Sequence, residues 1–244
     1  MEQTTSIIFD GLDSKSNEAY KALRTNIQFC GNNIKVIAFT SCVPNEGKSS
    51  VSFNLAVSFA EDNKKVVLID ADLRRSVLIG RYRVGEIERG LTHYLSGMNS
   101  LEEVLYRTDI ANLDIIFAGS HSPNPAELLN NAHFTGMVDI LREAYDYILI
   151  DTPPLGSVID GAIVARICDG AVLVIEANSI NHRFAQNVKS QLEKSNCRIL
   201  GAVMNKVPVD TKGYYGRYYG KYYGRYGKNH GKSDDKYHDS NYGT

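Results

Sequence analysis

The sequence is poor in cysteine, has no long apolar run and carries no excess of either charge. Its four cysteines, Cys30, Cys42, Cys168 and Cys197, show no CxxC spacing and no accompanying histidine pattern. That excludes a disulfide scaffold and a zinc module, and it fits reduced thiols in a cytosolic protein. No apolar stretch approaches the roughly 18 residues a membrane helix needs. The opening MEQTTSIIFD lacks the basic-then-apolar pattern of a secretion signal. The chain is therefore expected in the cytoplasm, with any membrane contact made through a partner. Lys and Arg number 27 against 28 Asp and Glu, a net charge of -1, which excludes a chain that coats nucleic acid.

What is present points to one α/β domain followed by a tail. The 244 residues are 43% hydrophobic, enough for a sizeable core. Six short runs rich in Val and Ile recur: KVIAFT (35–40), KVVLID (65–70), LDIIFA (113–118), YDYILID (145–151), GAVLVIEA (170–177) and RILGAVMN (198–205). Near-continuous apolarity over so few residues marks strands buried on both faces. Helical patterns lie between them, with Val51, Leu55 and Phe59 four apart, and likewise Phe184, Val188 and Leu192. Alternating strand and helix predicts a mostly parallel sheet with helices on both faces. The domain is expected over 1–209, with a helical segment at about 14–30 ahead of the first long strand. Residues 210–244 read as a disordered, low-complexity tail.

The first long strand runs into TSCVPNEGKSS (40–50) and then a helix. The segment from Cys42 fits GxxxxGK[ST] except that Cys42 replaces the first glycine. Backbone N–H groups from Asn45, Glu46, Gly47, Lys48, Ser49 and Ser50, at a helix N-terminus, can surround phosphate oxygens. Gly47 lets the backbone come close, Lys48 reaches the β- and γ-phosphates of a nucleotide, and the Ser49 hydroxyl can ligate Mg²⁺. Cys42 reads as a small packing residue.

Acidic residues end two further strands. In VVLIDADLRRS, Asp70 and Asp72 alternate, so both project to one side, at the sheet edge that holds the phosphate loop. Carboxylates there suit Mg²⁺ ligation or proton acceptance beside a phosphate, although one of them could instead cap the next helix. YDYILID ends in Asp151, as in a Walker B strand, whose aspartate holds Mg²⁺ through water. Asp160 suits either the same edge or a helix N-cap. Asn205, at the end of the last strand, suits either a hydrogen bond to a nucleotide base or a turn.

The order PNEGKSS, LIDADLRR, ILIDTPP resembles the bacterial tyrosine kinases of capsule and exopolysaccharide operons. EAYKALRTNIQF, GSHSPNPAELLNN and GAVMNKV match further family segments, so the resemblance spans about residues 15–208. It implies a P-loop NTPase-type α/β fold, unlike eukaryotic protein kinases, and indeed no HRD or DFG set is visible. It implies ATP and Mg²⁺, with Lys48 and Ser49 on phosphate and metal, Asp70 and Asp72 as the second acidic motif, Asp151 as the Walker B ligand and Asn205 at the adenine. It also implies a homo-oligomeric ring, a membrane-embedded polysaccharide co-polymerase whose cytoplasmic segment activates the kinase and recruits it to the inner face of the plasma membrane, and a cognate phosphotyrosine phosphatase. The family's ring-forming ExxRxxR motif reads here as Glu18, Lys21 and Arg24, with lysine lacking the bidentate fork of arginine. Asn45 stands where glycine is common, a position asparagine tolerates.

The tail then acquires a purpose. Its repeat YYGR-YYGK-YYGR carries Tyr214, Tyr215, Tyr218, Tyr219, Tyr222, Tyr223 and Tyr226, followed by Tyr237 and Tyr242. Glycine supplies reach, basic residues bias the segment toward an acidic, nucleotide-loaded pocket, and many equivalent tyrosines remove the need for one register. The resemblance makes the seven clustered tyrosines the phosphoacceptors, used between subunits. Two other classes of function compete. A Min/Par-type ATPase would carry a second lysine early in the loop, where this chain has Val43. An ATP-dependent scaffold with an RNA-binding tail would bind nucleotide without making phosphotyrosine.

Overall fold

The structure is a computed structural model that describes residues 3–208. The expected tail and its seven candidate phosphoacceptors lie outside the described residues. The strands are β1 (Gln3–Thr5), β2 (Val36–Ser41), β3 (Val66–Asp70), β4 (Leu105–Thr108), β5 (Leu113–Ile116), β6 (Tyr147–Asp151), β7 (Gly170–Glu176) and β8 (Ile199–Asn205). They form one sheet in the order β1-β4-β5-β3-β6-β2-β7-β8, and every neighbouring pair is parallel except β4 with β5. All six runs identified in the sequence are strands. The other two, QTT and LYRT, are only three and four residues long, too short to show a pattern, although Tyr106 of LYRT is buried in the core.

Four short helices, α3 (Leu78–Arg81), α4 (Leu91–Leu95), α5 (Leu101–Val104) and α6 (Pro125–Leu129), lie between β3 and β6 along the chain. Strand alternation divides the core in two. Ile37, Phe39, Leu68 and Leu149 point to one face, where they meet Val51, Leu55 and Phe59 of α2 (Lys48–Glu61). Val36, Ala38, Val67, Ile69, Ile148 and Ile150 point to the other, against Phe134, Met137 and Leu141 of α7 (Ala132–Ala144), Val164 of α8 (Asp160–Ala165) and Val188 and Leu192 of α9 (His182–Glu193). The expected helical segment before β2 is α1 (Ser14–Gln28), its first turn closed by the Asp13 carboxylate, which accepts from the Lys15 and Ser16 N–H groups. No helix among the described residues is long and apolar enough to cross a membrane.

Because β3, β6 and β2 are parallel neighbours, their carboxyl ends share one edge. There Asp70 lies directly opposite Asp151, and the loop after β2 opens beside them. The opposite edge is tied by Asp169. Its carboxylate accepts from the Lys35 and Val36 N–H groups at 2.9 and 2.8 Å and from both terminal nitrogens of Arg142 at 2.9 Å. Burial alone would raise the Asp169 pKa, but the Arg142 fork and the two backbone donors outweigh it and hold the pKa below the usual carboxylate value.

Asp169→Ala should cost roughly 2–3 kcal/mol in urea unfolding at pH 7, since it removes charge-assisted bonds and strands their donors. Because the folded pKa is depressed, this stabilisation is present above the unfolded pKa and is lost as the pH falls through the folded one. The gap between wild type and variant should therefore narrow toward pH 3.

Candidate active site

The loop 42–47 is held by a side chain that turns inward. Glu46 is buried, and one of its carboxylate oxygens accepts from the Cys42 and Val43 N–H groups at 2.6 and 2.9 Å. The other accepts from the Glu176 N–H at 3.2 Å and the Ser179 hydroxyl at 3.3 Å, which staples the loop to the end of β7. Asn45 and Gly47 both have left-handed backbone, φ 68° and 88°. Gly47 is required as well as permitted, since a Cβ there would lie 2.1 Å from Asn205 Nδ2. That same amide donates to the Glu46 carbonyl at 2.9 Å. Gly47 offers α2 no side-chain cap. The first N–H groups of the helix thus form a shaped, electropositive cradle with nothing of their own to fill it. Cys42 is wholly buried, and burial together with the nearby Glu46 charge pushes its thiol up to about 12, which makes it a packing residue as its sequence context indicated.

Lys48, at the start of α2, extends into a cluster of acids. Its ammonium lies 3.3 Å from Asp72 Oδ2, 3.4 Å from the Asp151 carboxylate and 3.2 Å from the Ser49 hydroxyl. Burial works against the charge of Lys48, but Asp151, Asp72 and Asp70 outweigh it and raise its pKa. Asp70 is fully buried, and burial followed by the charge of Asp151 pushes it up to about 7. Its oxygens accept from the Ser76 hydroxyl and from the Asp72 N–H. Asp72 in turn accepts from the Arg75 N–H at 3.0 Å. Asp151, raised chiefly by burial, has an Oδ1 that lies 3.4 Å from the Lys48 ammonium but accepts no hydrogen bond.

That orphaned oxygen is the test of fit for a cation. Among the described residues no group of three or more His, Cys, Asp or Glu side chains is disposed to hold a metal alone. Mg²⁺ does not need such a cage, since it takes one or two carboxylates and completes its shell with water and phosphate oxygens. Asp151 Oδ1 and the Ser49 hydroxyl, beside the open cradle of α2, suit that mode.

Lys48, Ser49, Asp70, Asp72 and Asp151 therefore converge, with Glu46 and Gly47 shaping the loop. Ser50 faces another way, its hydroxyl accepting from Arg81. Asn205 braces the loop. Glu18 and Lys21 pair with each other at 2.8 Å on the exposed side of α1. Arg24 turns inward, donating to the Ser58 carbonyl and lying 3.5 Å from Asp62, near the far end of α2. Asp160 does not cap α8. Fully buried, it receives Arg74 through two bonds, from Nε at 2.7 Å and from Nη2 at 3.1 Å. The sequence reading missed the Glu46 staple, Arg81 and this pair. Arg74 was visible beside DAD, but nothing in the linear order linked it to a residue 86 positions away.

The family model described as an AAA domain matches residues 34–200. A tyrosine-protein kinase CpsD of Streptococcus agalactiae is 44% identical over 204 residues, which cover 83% of this chain and 89% of that protein. The chain belongs to the family of bacterial tyrosine-protein kinases. Among solved structures, the kinase domain of the Escherichia coli tyrosine kinase ETK superposes with a TM-score of 0.79 at 31% identity, covering 85% of this chain and 82% of that one. The septum site-determining protein MinD of Pyrococcus horikoshii, solved with Mg-ADP, shares the fold at a TM-score of 0.63 and 25% identity, covering 72% of each chain. The fold is thus shared with a division ATPase, in keeping with the P-loop NTPase type that the resemblance implied.

Asp70 supplies a test of the acid cluster. It stays protonated in the fold to about pH 7, whereas the unfolded chain releases that proton near pH 4. Its contribution to stability is therefore present below the unfolded pKa and is lost as the pH rises through the folded one. The nucleotide-free protein should lose thermal stability from pH 5 to 8. Asp70→Asn, neutral throughout, should show a shallower fall and a higher melting temperature at pH 8.

Proposed function

We propose that the chain is an ATP-dependent tyrosine autokinase whose acceptors are its own C-terminal tyrosines, phosphorylated between subunits. The observation that carries this reading is the Lys48 ammonium held among Asp70, Asp72 and Asp151 at the open N-terminus of α2, in a chain 44% identical to a tyrosine-protein kinase.

The residues present account for the transfer. Lys48 and the N–H groups of α2 bind the β- and γ-phosphates and draw charge off the leaving ADP. Mg²⁺, held by Ser49 and Asp151, would supply charge neutralisation across the phosphates. A tyrosine hydroxyl attacks the γ-phosphorus, the bond to the β-phosphate oxygen breaks, and ADP leaves with the electron pair. The phenolic proton passes to a carboxylate of the Asp70–Asp72 pair. A pKa of about 7 for Asp70 is well suited to accepting a proton at neutral pH. Asn205, already bracing the loop beside Gly47, is assigned to the adenine side.

The same reading makes the protein a regulator of capsular or exopolysaccharide synthesis and export. It acts in the cytoplasm as a ring of copies, with Glu18 and Lys21 on the exposed side of α1 available to a neighbour. It is recruited and activated by the cytoplasmic segment of a membrane-embedded co-polymerase and reversed by a phosphotyrosine phosphatase. Each added phosphate contributes about -1.5 to -2 charges, so several would turn the basic tail acidic and favour release from the ring.

Intact-mass measurement after incubation with ATP and Mg²⁺ tests the kinase reading. The wild type should show a ladder of phosphate additions. Lys48→Met should slow it by about 10²–10³-fold, and truncation after Val209 should abolish it. If the wild type gains no phosphate even with an activator's cytoplasmic segment, yet hydrolyses ATP, the chain is an ATPase of another kind.

A further inference from the structure

We propose that Arg74 reads the γ-phosphate of the bound nucleotide and that Asp160 is the residue that positions it. The proposal rests on the reading of this edge as an ATP site.

Asp160 is fully buried and spends both oxygens on Arg74, whose side chain is 38% exposed. A guanidinium has five N–H donors. Nε and one hydrogen of Nη2 face Asp160, which leaves three donors on the outer edge. A bidentate grip of this kind removes most of the freedom of a long side chain and aims its remaining donors.

The position of the pair connects it to the phosphate end of the site. Asp160 opens α8, and the next residue, Gly161, fits so closely that a Cβ would come within 3.0 Å of both Thr40 Oγ1 and Thr152 Oγ1. Thr40 lies near the end of β2, the strand that leads into the phosphate loop, and Thr152 directly follows Asp151 at the end of β6. Arg74 comes from the opposite side, two residues beyond Asp72, whose carboxylate is 3.3 Å from Lys48 Nζ. The ion pair therefore ties the loop after β3, which carries Asp72, to the start of α8, the helix that follows β6 and Asp151. Lys48 reaches the β- and γ-phosphates, and Asp72, which meets its ammonium, also acts through its charge on Arg74, so Arg74 belongs to the phosphate end of the site.

Charge supports the same placement. The interior sets Asp70, Asp72 and Asp151 against the one ammonium of Lys48, and a γ-phosphate arriving there adds further negative charge. A fixed guanidinium at the rim favours the triphosphate, and ADP has no group to meet it. A lysine in place of Arg74 would still neutralise the buried Asp160 but would lack the fork and the outward donors.

The test is calorimetric titration, with Mg²⁺ present, of wild type, Arg74→Lys and Asp160→Asn with ADP and with a non-hydrolysable ATP analogue. Expected are an ADP affinity within about twofold of wild type in both variants and an ATP-analogue affinity about tenfold weaker. Equal weakening toward both nucleotides, or an unchanged preference for the triphosphate, would make the pair a structural tie only and overturn the proposal. Equal wild-type affinity for the two nucleotides would do the same. Should Asp160→Asn fail to fold, Arg74→Lys decides the matter, because it leaves Asp160 paired with a cation. Binding needs no phosphoryl transfer, so this result is independent of whether the tail is phosphorylated.

Discussion

The arrangement at the carboxyl edge depends on one buried ammonium. Lys48 Nζ sits within 3.4 Å of carboxylates from two strand ends, Asp72 after β3 and Asp151 on β6, with Asp70 directly opposite Asp151 in the sheet. Three acids so close and so buried cannot all be ionised against one lysine, since an unpaired buried charge is far more costly than a protonated acid. The fold meets this by raising Asp70 to about 7 and leaving Asp151 Oδ1 with the shared Lys48 ammonium at 3.4 Å and no hydrogen bond. Both features describe a site short of positive charge, and a divalent cation with its phosphate ligands is the chemistry that completes it.

Around that cluster the backbone is fixed by side chains that hydrogen-bond to the loop itself. Glu46 closes the loop onto its own N–H groups and onto β7. Asn205 closes it from β8 through the Glu46 carbonyl. Two left-handed residues, Asn45 and Gly47, let the chain turn directly into α2. The shape of the loop is thus held by the protein's own hydrogen bonds, the kind of preorganisation that lowers the cost of ordering a site on binding. Asp169 performs the corresponding service at the other edge, tying the start of β2 to Arg142 of α7. The ends of the central strands are held from both sides, and the acids they carry keep their spacing.

Much of this was legible in the order of residues. Strands buried on both faces must be apolar along their whole length, so β2, β3, β5, β6, β7 and β8 announce themselves. A helix laid across them must repeat its apolar residues every three or four positions, as Val51, Leu55 and Phe59 do. The chemistry of phosphate and Mg²⁺ confines GKS and the strand-end aspartates to a narrow set of positions. By contrast, β1 and β4 carry no pattern, because three or four residues are too few to show one and become a strand only when a neighbour offers its edge. Arg24 was legible as a charge but not as an internal brace, since its partners Ser58 and Asp62 lie at the far end of another helix and just beyond it.

The sequence by itself determined the class of fold, the edge of the sheet where the site lies and the residues that carry its charge, because each of these follows from local periodicity or from the needs of a phosphate group. Only the tertiary structure decided which oxygens meet which donors. Asp160 grips Arg74 across 86 positions and Glu46 reaches Ser179 across 133. Asp70 acquires its proton near neutrality from burial and from Asp151, a residue on a different strand. Burial and hydrogen bonding act through space over a few ångströms, and separations of that size are set by the packing of helices on the sheet, which residue order alone does not record.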